Sequence, residues 1–351
     1  MILNNKNNLI IFFIFFLFLF LGIFIYDDYG ISWDEYNDRI CGYVSLNFVR
    51  NLLSLEEYPN YPKLEDFIFA NYGVIFTFPM AFLEKVFLIE DSKQYFLFRH
   101  FFNFIIFFIS SIFFFFLLKK RFSKLLSTIG LIFFYLSPRI FADSFYNSKD
   151  IVFLSLFILN LFYAINFLKK LTYKNALFLS IASSLAIASR IMGIIIPFIV
   201  IIFFILRSLE NNSFFKKNIY KVIAFIILLQ IFVIFFWPYL WIDPIANFLN
   251  TFKTMSSFKW SGGIFYLNNY ISGLNLPWHY PIVWIIISTP ILYLFLFFIG
   301  SYFILIRFLK RFINLSEIKI LNDIYRGNKE RMDLFFFFIF YFSIFLVIKL
   351  D

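Results

Sequence analysis

The chain contains a series of apolar runs, each about as long as a helix that crosses a membrane. A helix needs roughly 20 residues to cross a hydrocarbon core of roughly 30 Å, where every backbone polar group must be paired internally. The runs lack the alternating polarity of barrel strands. With 62% hydrophobic residues and only 15% charged residues, a soluble globular domain is excluded. We therefore predict an all-α integral membrane protein of about nine transmembrane helices, at residues 9–25, 97–118, 125–137, 151–168, 175–188, 191–207, 221–240, 283–309 and 333–350.

A secretory signal peptide is the alternative interpretation of the first run. No small-residue cleavage site follows Ile25, and an acidic segment begins at once. Signal peptides end in such a cleavage site. We therefore interpret 9–25 as an uncleaved first helix.

The distribution of charge predicts which side of the membrane each connection occupies. With the N-terminus inside, four basic clusters fall on the cytoplasmic side, as the positive-inside rule requires. These clusters are Lys119-Lys120-Arg121-Lys124, Lys169-Lys170-Lys174, Arg207-Lys216-Lys217 and Arg307-Lys310-Arg311-Lys319-Arg326-Lys329-Arg331. Most acidic residues then gather on the opposite face. We predict a multi-pass protein of the bacterial inner membrane whose chemistry lies on the outer, periplasmic face.

This arrangement requires that residues 67–88 do not cross the membrane, although they are largely apolar. Gly73 and Pro79 interrupt the segment and Glu84-Lys85 end it, so we expect a re-entrant or interfacial helix. Residues 36–53 also predict an interfacial helix, because apolar residues recur every four positions. That face consists of Tyr36, Ile40, Val44, Phe48 and Leu52.

The predicted organisation is a single polytopic membrane domain over residues 1–351. Its parts are the first span, an outer loop with interfacial helices, the central spans, a second outer loop and the last spans, at 9–25, 26–96, 97–240, 241–282 and 283–350. The last apolar run ends abruptly at Asp351, which indicates a natural stop or a chain truncated at its C-terminus.

Common metal and nucleotide motifs are missing from the sequence. His100 and His279 are far apart and Cys41 is the single cysteine, so no zinc site is predicted. The glycines form neither a G-x-G-x-x-G nor a Walker pattern. Oxygen ligands suit Mg²⁺ or Mn²⁺, so the outer carboxylates leave a divalent cation open as a cofactor, although no spacing requires one.

Five carboxylates follow the first span within residues 26–39. Trp33-Asp34-Glu35-Tyr36 places two of them between aromatic rings. A carboxylate in such a half-apolar setting can act as a base, which makes Asp34 and Glu35 candidate catalytic residues. A solvated loop is the alternative for both. We assign Asp27, Asp28 and Asp38 to solvation.

A second polar cluster precedes the predicted span at 151. It contains Tyr146-Asn147-Ser148-Lys149-Asp150. Asp150 is a candidate second acid, with a helix N-cap as the alternative. Lys149 and Arg190 are candidate phosphate contacts, because cations at membrane depth are costly unless they are paired.

These residues resemble motifs of the GT-C superfamily of polyprenyl-phosphate-sugar-dependent glycosyltransferases, in particular glycosyltransferase family 39 and the protein mannosyltransferase-like and aminoarabinose-transferase-like enzymes. The similar segments are Asp34-Glu35, Tyr146-Asn147-Ser148-Lys149-Asp150, Ser189-Arg190-Ile191-Met192-Gly193 and Leu276-Pro277-Trp278-His279-Tyr280-Pro281, the last resembling a Pro-Trp-x-Tyr-Pro segment.

The resemblance implies a GT-C-type helix bundle in which Asp34 is the base, Asp150 is the second acid and basic residues hold the lipid phosphate. It also implies substrate contacts for Lys149, Arg190, Asn147, Tyr146, His279 and Tyr280. The family's His-Pro-Pro is here Tyr61-Pro62-Lys63-Leu64, a departure in that part of the site. The family also commonly continues with further spans and a soluble C-terminal part.

We predict a membrane glycosyltransferase that moves a sugar from a polyprenyl-phosphate carrier to a glycan, lipid or protein acceptor, with inversion. Membrane lipid is the other expected partner, and nucleic acid is not expected despite the net charge of +10. A transporter or lipid-linked glycan flippase is the alternative, although such proteins carry ionisable groups within their spans. An O-antigen ligase or polymerase would carry arginines in its large outer loop, where this chain has Lys253, Lys259 and His279. A scaffold subunit with a decayed site is a further alternative.

Overall fold

The computed structural model describes residues 2–256, 261–313 and 328–342. The protein is almost entirely helical in these ranges, which confirms the predicted all-α class. Several predicted features lie outside the described residues: Lys259, the basic positions Lys319 and Arg326, and the end of the last predicted span at 343–350.

The helices follow one another with short connections. They are α1 Ile2–Ile25, α2 Glu35–Leu52, α3 Thr77–Val86, α4 Ser92–Lys119, α5 Lys124–Tyr135, α6 Pro138–Tyr146, α7 Ser148–Lys169, α8 Tyr173–Ile187, α9 Ile195–Glu210, α10 Asn212–Phe236, α11 Pro244–Ser256, α12 Tyr280–Ser288, α13 Ile291–Ile313 and α14 Asn328–Phe336. A short hairpin, β1 Gly263–Tyr266 and β2 Asn269–Ser272, precedes α12.

Within the described residues, five helical segments are long and apolar enough to cross a membrane, or up to seven if each of two bent pairs is one span. The two bent pairs overlap the spans predicted at 125–137 and 283–309, and each pair is a broken helix rather than a continuous one. α5 and α6 meet at 62°, and α12 and α13 meet at 119°. Pro138 and Pro290 lie at these breaks, where proline removes a backbone donor and ends the preceding helix.

Residues 67–88 are not among the helical segments that are long and apolar enough to cross a membrane, and their re-entrant or interfacial placement stays a prediction. The helical part, α3, is only 10 residues long. The predicted helix at 36–53 is also present as α2, but its buried face differs from the prediction. Tyr36 and Leu52 are exposed while Val44 is buried, because a step of four residues rotates by about 40° beyond a full turn and the drift accumulates.

Contacts between Cα atoms divide the chain into two compact units, residues 1–200 with 218–249, and residues 201–217 with 250–351. In the first unit, α4 packs against α7, α7 against α8, and α2 against α3. A core of aromatic rings fills the space between α1, α4, α5 and α6. Its buried members include Phe18, Phe104, Phe107, Tyr135 and Phe145.

Side-chain caps fix where the helices of the first unit begin. Asp91 accepts a hydrogen bond from the backbone of Gln94 at 3.0 Å at the start of α4, and Thr172 accepts one from Asn175 at 3.2 Å at the start of α8. Such caps satisfy backbone donors that have no partner within the helix. They place the starts of α4 and α8 at defined residues.

The second unit contains the hairpin, whose register pairs Gly263 with Ser272 and Tyr266 with Asn269. Leu267 and Asn268 form its two-residue turn with positive φ angles of 47° and 66°, the backbone geometry that such tight hairpins favour. Farther along, Arg307 donates to both carboxylate oxygens of Asp333 at 2.9 and 3.1 Å.

Candidate active site

The start of α7 is the part of the first unit where the predicted site residues converge. Asn147 is the N-cap of α7: its Oδ1 accepts from the backbone N–H of Asp150 at 3.1 Å. Its Nδ2 donates to Asp150 Oδ2 at 3.0 Å. The alternative role of Asp150 as the N-cap is therefore wrong, since Asn147 fills that position and Asp150 lies in the first turn.

Asp34 is the N-cap residue of α2 and lies one turn before Asp38, and both acids lie close to Lys149 of α7. Lys149 Nζ lies 3.0 Å from Asp38 Oδ1 and 3.7 Å from Asp34 Oδ2. The Asp34 side chain is 60% exposed, whereas Asp38 is 4% exposed. The outer acid therefore stays accessible to a substrate, and the inner acid holds the lysine.

The assignment of Asp38 to solvation is wrong. Its side chain is buried, and its Oδ2 accepts from the Ser148 hydroxyl at 3.2 Å. Burial raises the pKa of the Asp38 carboxyl, and the Lys149 ammonium and the Ser148 hydroxyl only partly offset that effect. The spacing of Asp34 and Asp38, one helical turn, was the sequence signal that both acids face the same side.

Glu35 is buried and both of its carboxylate oxygens are engaged. Oε1 accepts from the backbone N–H of Ser32 at 2.6 Å, and Oε2 lies 2.8 Å from His100 Nε2 on α4. The Ser32 hydroxyl in turn donates to the backbone carbonyl of Tyr146 at 3.5 Å. Glu35 thus links the loop before α2 to α4, and Ser32 links the same loop to the end of α6.

A narrow pocket lies beside this contact. Glu35, His100, Asn103, Tyr146 and Ser148 are among the residues that line it. Sequence reasoning gave His100 no role beyond the exclusion of a zinc site. The available signal was a histidine beside an arginine near the start of an apolar helix, where ionisable groups are rare unless they are paired.

Arg190 occupies the break between α8 and the 3-10 turn Ile191–Ile194. Its Nη2 lies 2.5 Å from Asp150 Oδ1, and the two side chains are 42% and 60% exposed. Gly73 allows a loop to approach this break, because a Cβ at position 73 would lie 2.1 Å from the carbonyl oxygen of Ala188. The structure therefore places two ion pairs, Asp34–Lys149 and Arg190–Asp150, at adjacent residues of the first turn of α7.

A buried ion cluster joins α2 to α3 and α4. It was not predicted from the sequence. Glu84 on α3 is fully buried and lies 2.8 Å from Arg39 Nε and 2.5 Å from Arg99 Nε. Tyr43 donates its hydroxyl to the same carboxylate at 3.0 Å. Because charges removed from water need close partners, this cluster fixes α2, α3 and α4 to one another.

A small cleft opens beside Lys149. Its lining includes Asp38, Cys41, Tyr72, Lys149 and Ser189. Asp34 and Asp150 stand next to these residues and are the more exposed acids. Within the described parts of the chain, no group of three or more His, Cys, Asp or Glu side chains is arranged to hold a metal ion.

The remaining two predicted substrate contacts lie in the second unit. Tyr266 OH and His279 Nδ1 lie 2.7 Å apart, which joins the hairpin to the start of α12. The Tyr280 ring packs edge-on against the Tyr266 ring with centroids 5.0 Å apart. Their assignment as substrate contacts stays a prediction.

Comparison with protein families gives one informative result, and comparison with curated proteins and with solved structures gives no match. The match covers residues 80–237, a segment that contains Tyr146, Asn147, Lys149, Asp150 and Arg190. Together with the apolar helices, this match supports a membrane glycosyltransferase of the GT-C type.

The family whose model matches is the dolichyl-phosphate-mannose-protein mannosyltransferases. The resemblance deduced from the sequence motifs is therefore confirmed over these residues. Asp34 and Glu35 precede the matched segment and His279 follows it, so their roles rest on the structure and on chemical argument. A lipid-linked sugar donor and an acceptor are the partners that this family implies.

Proposed function

We propose that the protein transfers a sugar from a polyprenyl-phosphate carrier to an acceptor hydroxyl on the outer face of a bacterial inner membrane, with the N-terminus in the cytoplasm. The observation that carries the proposal is the group formed by Asp34, Lys149, Asp150 and Arg190. It combines an exposed carboxylate with two cations at the end of a membrane helix.

In this proposal the donor lipid lies in the bilayer and its phosphate docks near Lys149 and Arg190. Charge-assisted hydrogen bonds from such cations are suited to phosphate oxygens. They also stabilise the negative charge that develops as the lipid phosphate leaves. Asp150 orients Arg190 through their 2.5 Å contact.

Asp34 acts as the general base. The acceptor hydroxyl gives its proton to the Asp34 carboxylate while its oxygen bonds to the anomeric carbon. The bond from that carbon to the phosphate oxygen breaks, and its electron pair leaves with the lipid phosphate. A single displacement of this kind inverts the anomeric centre. The contact between Glu35 and His100 holds the start of α2, and with it Asp34, against α4.

The test uses the purified protein in detergent with radiolabelled polyprenyl-phosphate hexoses and pentoses, and with the matching nucleotide sugars. Lipid, glycan and protein fractions of the cell envelope serve as acceptors. We expect label to move from a polyprenyl-phosphate sugar alone, with an inverted anomeric configuration in the product. Transfer from nucleotide sugars only, or retention of configuration, would contradict the proposal.

A further inference from the structure

Asp34 and Asp38, at the start of α2, lie at different distances from the ammonium of Lys149. Asp38 Oδ1 lies 3.0 Å from the ammonium nitrogen, within hydrogen-bond distance, while Asp34 Oδ2 lies 3.7 Å away. Hydrogen bonds between an ammonium and a carboxylate are about 2.7–2.9 Å long at their strongest. Lys149 is therefore bound to the inner acid and only near the outer one.

Residues at the start of α7 keep Lys149 closer to Asp38 than to Asp34. Ser148, the residue before the lysine, donates its hydroxyl to Asp38 Oδ2 at 3.2 Å. Asn147 caps the helix, so the first turn cannot shift easily along α2. Two adjacent residues of α7 therefore engage one carboxylate of α2, and the Lys149 side chain is drawn inward.

Few other charged groups face the two acids. Tyr72 packs on Lys149 with the ammonium 5.0 Å from its ring centroid, and burial raises the pKa of the Tyr72 hydroxyl. Burial likewise raises the pKa of the Cys41 thiol to about 12, so both groups are neutral at pH 7. Arg190 is engaged by Asp150. Among the ion pairs of the described residues, Lys149 is the cation that pairs with Asp34.

We propose that Asp38 is a positioning residue that holds Lys149 away from Asp34, and thereby leaves Asp34 free to accept the proton of the acceptor hydroxyl. This inference rests on the proposed function for its catalytic meaning. A carboxylate in direct contact with an ammonium is a weaker base, because the ion pair stabilises its ionised form. Asp38 prevents that contact by satisfying the lysine first.

The variant Asp38→Asn separates this role from a merely structural one. It preserves shape and hydrogen-bonding capacity but removes the charge that retains Lys149. The ammonium is then expected to move to Asp34, the remaining carboxylate within reach. The approach of the ammonium favours the ionised form of Asp34, and so does the loss of the negative charge on Asp38. We therefore expect the titration midpoint of Asp34 to fall.

The direct test is a titration of Asp34 by NMR in detergent, with aspartate carboxyl carbons labelled and Asp34→Asn used for assignment. In Asp38→Asn we expect the Asp34 midpoint to lie at a lower pH than in the wild-type protein. Asp27→Asn removes a carboxylate at an exposed position before α2 and should leave the midpoint unchanged. An equal or higher midpoint in Asp38→Asn would overturn the proposal.

The double variant Asp38→Asn with Lys149→Gln tests whether the effect passes through the lysine. The double variant has no ammonium that could bind Asp34. We therefore expect the titration midpoint of Asp34 to lie close to the wild-type value, and the difference between the single and double variants is the coupling that a double-mutant cycle measures. This variant also serves if the single variant does not fold, since it removes the lysine together with its partner. If the Asp34 midpoint in the double variant is as low as the midpoint expected in Asp38→Asn alone, the proposal is overturned.

Transfer assays complete the test and distinguish the two proposals. In Asp38→Asn we expect a lower kcat, an acid limb of the pH profile shifted to lower pH, and a donor KM that does not rise. A lower kcat with an unshifted acid limb would mean a structural role only and would overturn this inference. If the wild-type protein transfers no sugar, the proposed function fails, while the titration still decides how Asp38 acts on Asp34.

Discussion

His100 Nε2 lies 2.8 Å from Glu35 Oε2, and both side chains are buried where the loop before α2 meets α4. A hydrogen bond to a charged group contributes about 1.5–3 kcal/mol. The contact joins the acid next to Asp34 to a long apolar helix, so it controls how firmly the start of α2 is held.

Replacing His100 by Leu removes the donor and leaves one buried Glu35 oxygen unpaired. We expect the free energy of unfolding to fall by about 2 kcal/mol, together with slower transfer. His100→Gln keeps an N–H group that can reach Glu35 and should retain more than half of both properties. Thermal unfolding in detergent measures the first effect. Equal losses in the Leu and Gln variants would mean that the hydrogen bond is not what His100 contributes.

Glu84 is expected to be the most sensitive acid for stability. Its carboxylate lies between the guanidinium groups of Arg39 and Arg99, and removing one partner of a buried ion pair typically costs about 3–5 kcal/mol. Glu84→Gln should therefore lower the free energy of unfolding by an amount in this range. The matched control is Glu65→Gln at an exposed position, with an expected change within about 0.5 kcal/mol. Similar small changes in both variants would contradict the account of the cluster.

Arg190→Gln should weaken donor binding without a large effect on folding. The Arg190–Asp150 pair is partly exposed, and such pairs contribute about 0–1 kcal/mol to stability. Loss of a charge-assisted contact to phosphate should raise the donor KM about tenfold or more. Arg139→Gln is the control, because Arg139 is 70% exposed and lies 3.8 Å from Asp143 in a similar surface pair. An unchanged KM in Arg190→Gln would exclude Arg190 as a phosphate contact.

Cys41 offers a chemical measure of how tightly the site is closed. Its thiol is 5% exposed, and burial raises its pKa to about 12. The reactive thiolate therefore forms only at high pH, and its fraction at pH 7.5 is roughly a thousandfold below that of a free cysteine. We expect negligible maleimide labelling of the folded protein at pH 7.5 and complete labelling after denaturation. Rapid labelling of the folded protein would show that the cleft beside Lys149 opens widely.

The membrane class and the polar segments were predictable from the sequence because each depends on local features. Helical spans follow from the length of apolar runs. Asp150, Lys149 and Arg190 were predicted as site residues because polar residues are easily recognised at the ends of such apolar runs. The bends near Pro138 and Pro290 were the main local feature left out of the predicted spans.

The partners of these residues were not predictable, because they depend on how distant helices pack. Asp38 resembled its solvated neighbours until α7 placed Lys149 and Ser148 against it. Glu35 appeared to be a second catalytic acid, while the structure engages both of its oxygens with Ser32 and His100. Its catalytic role stays a prediction, and the geometry favours a positioning role.

We propose above that Asp34 is the base of a lipid-dependent sugar transfer. The most direct measurement is the rate of transfer from a labelled polyprenyl-phosphate sugar by Asp34→Asn and by the exposed control Asp27→Asn, with donor binding measured separately. We predict that Asp34→Asn binds the donor but loses transfer by a factor of about 100 or more, while Asp27→Asn keeps the wild-type rate. Undiminished transfer by Asp34→Asn would contradict the account.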